Sequence, residues 1–215
     1  MAITGASRQH RFARARRPRH RDAHWISPVR SRDRTAHVPL PSGTRYRDES
    51  NLYRLDADHR CTRIAGGVKV SNGLAWSPDG RTMYHSDSRG GVIFRYAYDP
   101  ETGSIGKRKV FVSMHAEWGR PDGGATDEEG CYWSCGISGG RITRLNPSGE
   151  LIGYVEMPVT HPTMPCFGGS NGRTLYVTSL RENLSDAELA RTPQAGGVFM
   201  LEPGVAGAPA AHYQG

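Results

Sequence analysis

The sequence predicts an all-β protein assembled from repeated antiparallel sheets, and three observations carry that prediction. Its 215 residues include 27 Gly and 14 Pro with only 8% aromatic residues, at a mean hydropathy of -0.59, a turn-rich balance unlike that of a helical bundle. From Asn51 onward, short β-branched and aromatic runs are broken by Gly, Asp-Gly and Pro, the pattern of strands and tight turns. Those runs also recur along the chain, which ties them to one repeated unit.

The first recurring element is a strand, a turn closed by Gly, and a second strand. GLAWSPDG (73–80) runs into RTMYHSDS, GGATDEEG (123–130) into CYWSCG, and PCFGGSNG (165–172) into RTLYVTS. The turn glycines fall at 80, 130 and 172, spacings of 50 and 42 residues. The second element is an alternating strand that runs into a turn: NLYRLDADHRC (51–61), VIFRYAYDPETG (92–103), RITRLNPSGE (141–150) and GVFMLEPGVAG (197–207). A four-stranded unit repeated at this period is the pattern of a β-propeller blade. On that reading the chain supplies about three and a half blades, too few to close a ring; a β-sandwich with accidental internal similarity is the alternative. Trp76, Trp133, Phe94, Tyr96 and Phe199 fall on strands and are expected in the core between blades.

The first fifty residues have another texture. They hold 12 Arg, no Lys and four acids, whereas residues 51–215 hold 16 Lys plus Arg against 17 Asp plus Glu. The whole net charge of +7 therefore originates in the first quarter, and the body is close to neutral. RQHRFARARRPRHRDAHWISPVRSRDR has neither a strand nor a helix period, so it offers too little apolar surface to offset the entropy of ordering. Residues 1–45 are expected to be a disordered or aberrant segment ahead of a folded region at 46–215. An Arg-rich arm for nucleic acid is a competing reading, disfavoured by the absence of Lys and the scarcity of aromatic platforms. No apolar run is long enough to span a bilayer and no secretory h-region is present, so the default expectation is a cytoplasmic protein with no membrane partner.

The ordered segments VSNGLAWSPDGRTMYHSDS, YAYDPETG, GRPDGGATDEEGCYW, GGRITRLNPSGELI, PTMPCFGG, TLYVTS and AGGVF resemble the gluconolactonase, regucalcin (senescence marker protein) and luciferin-regenerating-enzyme family from about Asn51 to Gly215, with HYQG similar to the family's C-terminal end. The resemblance implies a six-bladed propeller, incomplete here, that holds one divalent cation in its central channel and hydrolyses sugar lactones to aldonic acids. It carries the cation's amide ligand onto Asn72 of Ser71-Asn72-Gly73, and its carboxylate ligand onto Asp122 of Pro121-Asp122-Gly123. Calcium, zinc, magnesium and manganese all fit such a pair, because hard or borderline ions take amide and carboxylate oxygens. Asp122 doubles as the candidate catalytic base. Read without the family, each is a turn residue before a glycine.

The departures are as specific. The family's N-terminal Glu ligand and its upstream Asn-Asp-Gly segment have no counterpart in residues 1–50; Glu49, in RDESNLY, is the nearest acid and does not match. Two ligands of three remain, no substrate-binding residue is identified, and little turnover is expected from the chain alone. The second functional reading is therefore a non-catalytic, truncated propeller that serves as a cation- or protein-binding scaffold. Cys61, Cys131, Cys135 and Cys166 are expected to be reduced, and a zinc site at Cys131 and Cys135 is disfavoured. His85 is expected in packing, whereas His115 and His161 lie in loops, close enough to the rim to reach a substrate.

Overall fold

The computed structural model describes residues 50–56 and 58–209, together with the backbone of 23–26. The first sheet comprises β1 (Ala23–Ile26), β2 (Ser50–Asp56) and β3 (Cys61–Val68) in the order β1-β2-β3. Apart from the β1 backbone, which pairs with β2, the Arg-rich segment at 1–45 lies outside the described residues. The second sheet follows as β4 (Ser71–Trp76), β5 (Thr82–Asp87), β6 (Val92–Asp99) and the short β7 (Ser104–Ile105), with β8 (Lys109–Ser113) also pairing with β6. After a single 3-10 turn at Ala116–Trp118, the third sheet runs β9 (Arg120–Thr126), β10 (Tyr132–Ile137), β11 (Arg141–Leu145) and β12 (Leu151–Glu156). The fourth joins β13 (Pro162–Gly168), β14 (Thr174–Ser179) and β15 (Val198–Leu201), with α1 (Asp186–Arg191) between the last two.

Among the described residues every pairing is antiparallel and nearly all join strands adjacent in sequence; short turns join most of them, whereas a longer segment that carries α1 links β14 to β15. The turns between the first two strands of the last three sheets share one construction. Gly80 N–H donates to Ser77 O at 2.8 Å, Gly130 N–H to Asp127 O at 3.0 Å, and Gly172 N–H to Gly169 O at 3.3 Å. All three glycines have positive φ, at 68°, 82° and 68°, a conformation that favours a residue without Cβ. The repeat seen in the sequence is thus a repeat in backbone geometry.

Sheets stack face to face in chain order, and the strand pattern explains why. β5 buries Met83 through Asp87 without alternation, and β10 buries Tyr132 through Gly136 likewise, as expected of strands covered on both faces. Tyr84, Ile93, Phe111 and Val112 of the second sheet meet Tyr132 and Leu145 of the third. On the opposite face of the third sheet, Trp133, Cys135 and Ile142 meet Leu175 and Val177 of the fourth. Leu52 of the first sheet packs on Met83 and Tyr96 of the second. Of the residues expected in the core, Trp133 and Tyr96 are buried, while Trp76, Phe94 and Phe199 are half-buried at the edges of these clusters. Among the described residues, no helix is long and apolar enough to cross a membrane.

Candidate functional site at the inner strands

The first strands of the last three sheets, β4, β9 and β13, lie side by side, and each departs from regular pairing at the same place. Between Asn72 and Ala75, β4 advances three residues while β5 advances two. Between Pro121 and Gly124, β9 does the same against β10, and β13 gains one residue between Pro162 and Met164. Such bulges re-aim the side chains beside them, and here they fall at Asn72, Asp122 and Thr163.

Glycine lets these strands approach. A Cβ on Gly73 would lie 2.7 Å from Asp122 O, and one on Gly123 would lie 2.5 Å from Thr163 O, closer than side-chain carbons come to backbone. Gly73 also has φ 53°. Buried Tyr132 fixes the β4 bulge from the neighbouring sheet: its hydroxyl donates to Gly73 O at 2.7 Å and lies 3.3 Å from Ser86 Oγ. Burial raises the Tyr132 phenol well above its ordinary range, so it remains a donor.

Asn72 and Asp122 come together as a result, with Asn72 Nδ2 donating directly to Asp122 Oδ1. Asn72 Nδ2 also lies 3.4 Å from Ser88 Oγ, and Gly73 N–H donates to Asn72 Oδ1 at 3.1 Å. Asp122 is half-buried. Removal from water is the main cause that raises its carboxyl to about 6, offset in part by a hydrogen bond from Ser88 and by the charge of Arg120. A desolvated carboxylate paired with an amide therefore sits where two sheets meet, and these oxygen donors suit a hard divalent cation. Among the described residues, no group of three or more His, Cys, Asp or Glu side chains gathers around a common point, so Asp122 is the carboxylate such an ion would find here.

Other candidates take supporting places. His85 is 1% exposed; its Nε2 lies 2.7 Å from Ser71 Oγ, and burial is the main cause that lowers its imidazole to about 4. It anchors β4 one residue before Asn72 and is buried in packing. His115 stacks on Trp118 at 4.5 Å between ring centroids, and His161 hydrogen-bonds Thr160 Oγ1 and Ser138 Oγ. All four cysteines are free; Cys131 and Cys135 are buried, and burial pushes Cys131 up to about 11. The residue missed in the sequence is Ser88, the last of HSDS, which touches both members of the pair.

Fold and site together define an all-β protein of stacked antiparallel sheets with an amide–carboxylate pair where its inner strands converge. The family model described as the SMP-30/Gluconolactonase/LRE-like region matches residues 34–181, and the chain belongs to that family. It is 47% identical over 164 residues to a 6-deoxy-6-sulfogluconolactonase from Pseudomonas putida, covering 76% of this chain and 56% of that protein. It is 37% identical over 171 residues to regucalcin from Oryctolagus cuniculus, covering 79% and 57%. Among solved structures, a calcium-binding regucalcin from Agrobacterium tumefaciens superposes with a TM-score of 0.71 at 30% identity over 80% of this chain and 59% of its own. A luciferin-regenerating enzyme gives 0.68 at 32% identity over 77% and 57%. The chain thus spans little more than half the length of these relatives.

Proposed function

We propose that the site is the core of a metal-dependent lactone hydrolase that opens a sugar lactone to an aldonic acid. The observation that carries this reading is the direct Asn72–Asp122 contact, in a chain 47% identical to a sulfogluconolactonase. Asn72 Oδ1 and the Asp122 carboxylate would hold a divalent cation. When bound there, the ion supplies Lewis acidity to the lactone carbonyl and acidifies an attacking water. With such an ion in place Asp122 would accept the proton of that water, and Asn72 would orient the pair. The bulged backbones of β4 and β9 fix both side chains from two different sheets, which limits reorganisation during the reaction. A single carboxylate offsets only part of a divalent charge, so cation affinity of this chain alone is expected to be weak.

In this reading the sheets are blades of a propeller whose remaining blades, with a third, acidic ligand, are those of the family's upstream region. Residues 46–215 carry the chemistry, and the Arg-rich 1–45 takes no part in it. The test is hydrolysis of glucono-lactone by this chain and by a fusion that places it behind the upstream part of the Pseudomonas putida relative. The fusion is expected to turn over lactone only with added divalent cation and to stop on chelation; the chain alone is expected to stay near the spontaneous rate. Turnover by the fusion that is indifferent to chelator would contradict the proposal.

A further inference from the structure

Three polar side chains that the proposed reaction does not use gather around the turn from β10 to β11. The 3-10 turn at Ala116–Trp118 packs against the glycines of that turn, since a Cβ on Gly136 or Gly139 would run into Trp118 O. Arg120, the first residue of β9, pairs there with Ile137, the last of β10. On the other side of the turn, Gly140 N–H donates to Thr160 O at 3.1 Å, which brings in His161. Between the two stands Ser138, its Oγ 3.3 Å from His161 Nε2, while Thr160 Oγ1 lies 2.7 Å from His161 Nδ1. Ser138 holds φ at 70°, a left-handed conformation that glycine or asparagine takes at lower cost; from that strained backbone its hydroxyl reaches the imidazole.

Arg120 is exposed, and among the described residues its guanidinium takes part in no ion pair. It lies two residues before Asp122, and its charge reaches both ways: it opposes the burial that raises the Asp122 carboxyl and adds to the burial that lowers the His161 imidazole. Glu188 of α1, the carboxylate whose charge acts on His161, already accepts from Ser185 N–H and Oγ at 2.8 and 2.7 Å. With the ring proton on Nε2, Thr160 Oγ1–H donates to Nδ1 and Nε2–H donates to Ser138 Oγ, so the Ser138 proton is left to face an acceptor from outside. A guanidinium fork and an oriented hydroxyl thus stand side by side near the proposed base, three donors for the three terminal oxygens of a tetrahedral oxyanion. A neutral sugar hydroxyl would leave the Arg120 charge unanswered.

We propose that Arg120 and Ser138, with His161 behind Ser138, form a subsite for a tetrahedral oxyanion carried by the sugar away from its lactone ester, so that the chain selects acidic sugars over neutral ones. The inference rests on the lactone-hydrolase reading for the sugar and for the ester beside Asp122. The anion contact itself needs neither a bound cation nor turnover.

The experiment titrates the full chain, without added metal, with 6-phosphogluconate, gluconate and inorganic phosphate, and follows the ring resonances of His161, assigned by their loss in His161→Gln. 6-Phosphogluconate should bind about tenfold more tightly than gluconate or better, the worth of one charge-assisted contact, and more tightly than inorganic phosphate. Arg120→Gln should erase that preference, and Arg120→Lys, which keeps the charge without the fork, should keep part of it. Ser138→Gly relieves the left-handed strain and so should stay folded, yet it should narrow the preference. Equal affinity for 6-phosphogluconate and gluconate would overturn the proposal, as would a preference that survives Arg120→Gln. Inorganic phosphate bound as tightly as 6-phosphogluconate would mean an adventitious ion only, and would overturn it as well. Turnover by the fusion tests the hydrolase reading separately: a fusion inert toward lactones, with the Arg120-dependent preference intact, would contradict the hydrolase and leave the acidic-sugar subsite standing.

Discussion

Asn72 and Asp122 stand 50 residues apart in sequence and meet because two bulged strands place them at equivalent points of adjacent sheets. Their identities were legible as polar residues before glycine, and family motifs gave them a role. Their contact was not, because a bulge depends on register between strands, which no single strand's sequence sets. Ser88 was hidden for the same reason: a serine in a loop carries no signal until its neighbours across the sheet are known. In the cation-dependent fusion, Asn72→Ala should mainly raise the concentration of divalent ion needed for half-maximal rate, by roughly tenfold or more, with a smaller effect at saturating ion; a titration of rate against cation reads both. His85 supports a second prediction at this scale. Its imidazole is held near 4 in the folded state against 6.5 for the free side chain, so between those values the unfolded chain binds the proton and the folded one does not. Stability from this group is full above about pH 6.5, falls as pH drops toward 4, and then levels off, a change on the order of 3 kcal/mol. Asp122, raised to about 6, acts in the opposite sense, so the difference between the parent and His85→Gln isolates the histidine. Parallel pH profiles of urea stability for the two proteins would remove this assignment.

At the scale of elements, the turn from β9 to β10 is pinned by a carboxylate with no exposure. Asp127 accepts from the N–H groups of Glu129 and Cys131, from Trp133 Nε1 at 2.8 Å, and from Arg144, whose guanidinium approaches to 2.7 Å. Arg144 also reaches Glu129 at 2.8 Å and lies over the Trp133 ring at 5.5 Å. The segment after β15 joins this turn: Glu128 N–H donates to Ala206 O, Ala208 N–H to Thr126 O, and Gly207 N–H to Gly172 O of the next turn. Asp127→Ala would orphan several donors and leave the half-buried Arg144 with Glu129 alone, at a cost of about 3 kcal/mol or more, measured as a lower urea midpoint at unchanged slope. The DEEG motif announced the turn, because Gly130 sits where the chain needs positive φ. It did not announce that its first acid ties together a strand, an arginine 17 residues on and the C-terminal segment, since a buried ion pair depends on packing from outside the motif.

At the scale of the molecule, the repeat read from glycine spacing corresponds to sheets that stack in chain order, each burying its faces against its neighbours. The fourth sheet departs from this on one face. Met164, Tyr176, Val198 and Met200 are exposed there, the last at 70%, an apolar surface of the kind that soluble proteins cover. In the fusion described above, this face should be covered, so a dye that fluoresces on apolar surface should brighten with the chain alone and much less with the fusion. Period and turn glycines made the stacking legible; the exposed apolar face was not, because alternation within one strand does not show which of its faces a neighbouring sheet covers. Whether Asp122 is both ligand and base of a metal-dependent lactone hydrolase is decided by the lactone hydrolysis rate of the Asp122→Ala fusion at saturating divalent cation. That rate should be indistinguishable from spontaneous hydrolysis in a protein that remains folded, whereas a rate equal to that of the unsubstituted fusion would show that Asp122 is neither ligand nor base.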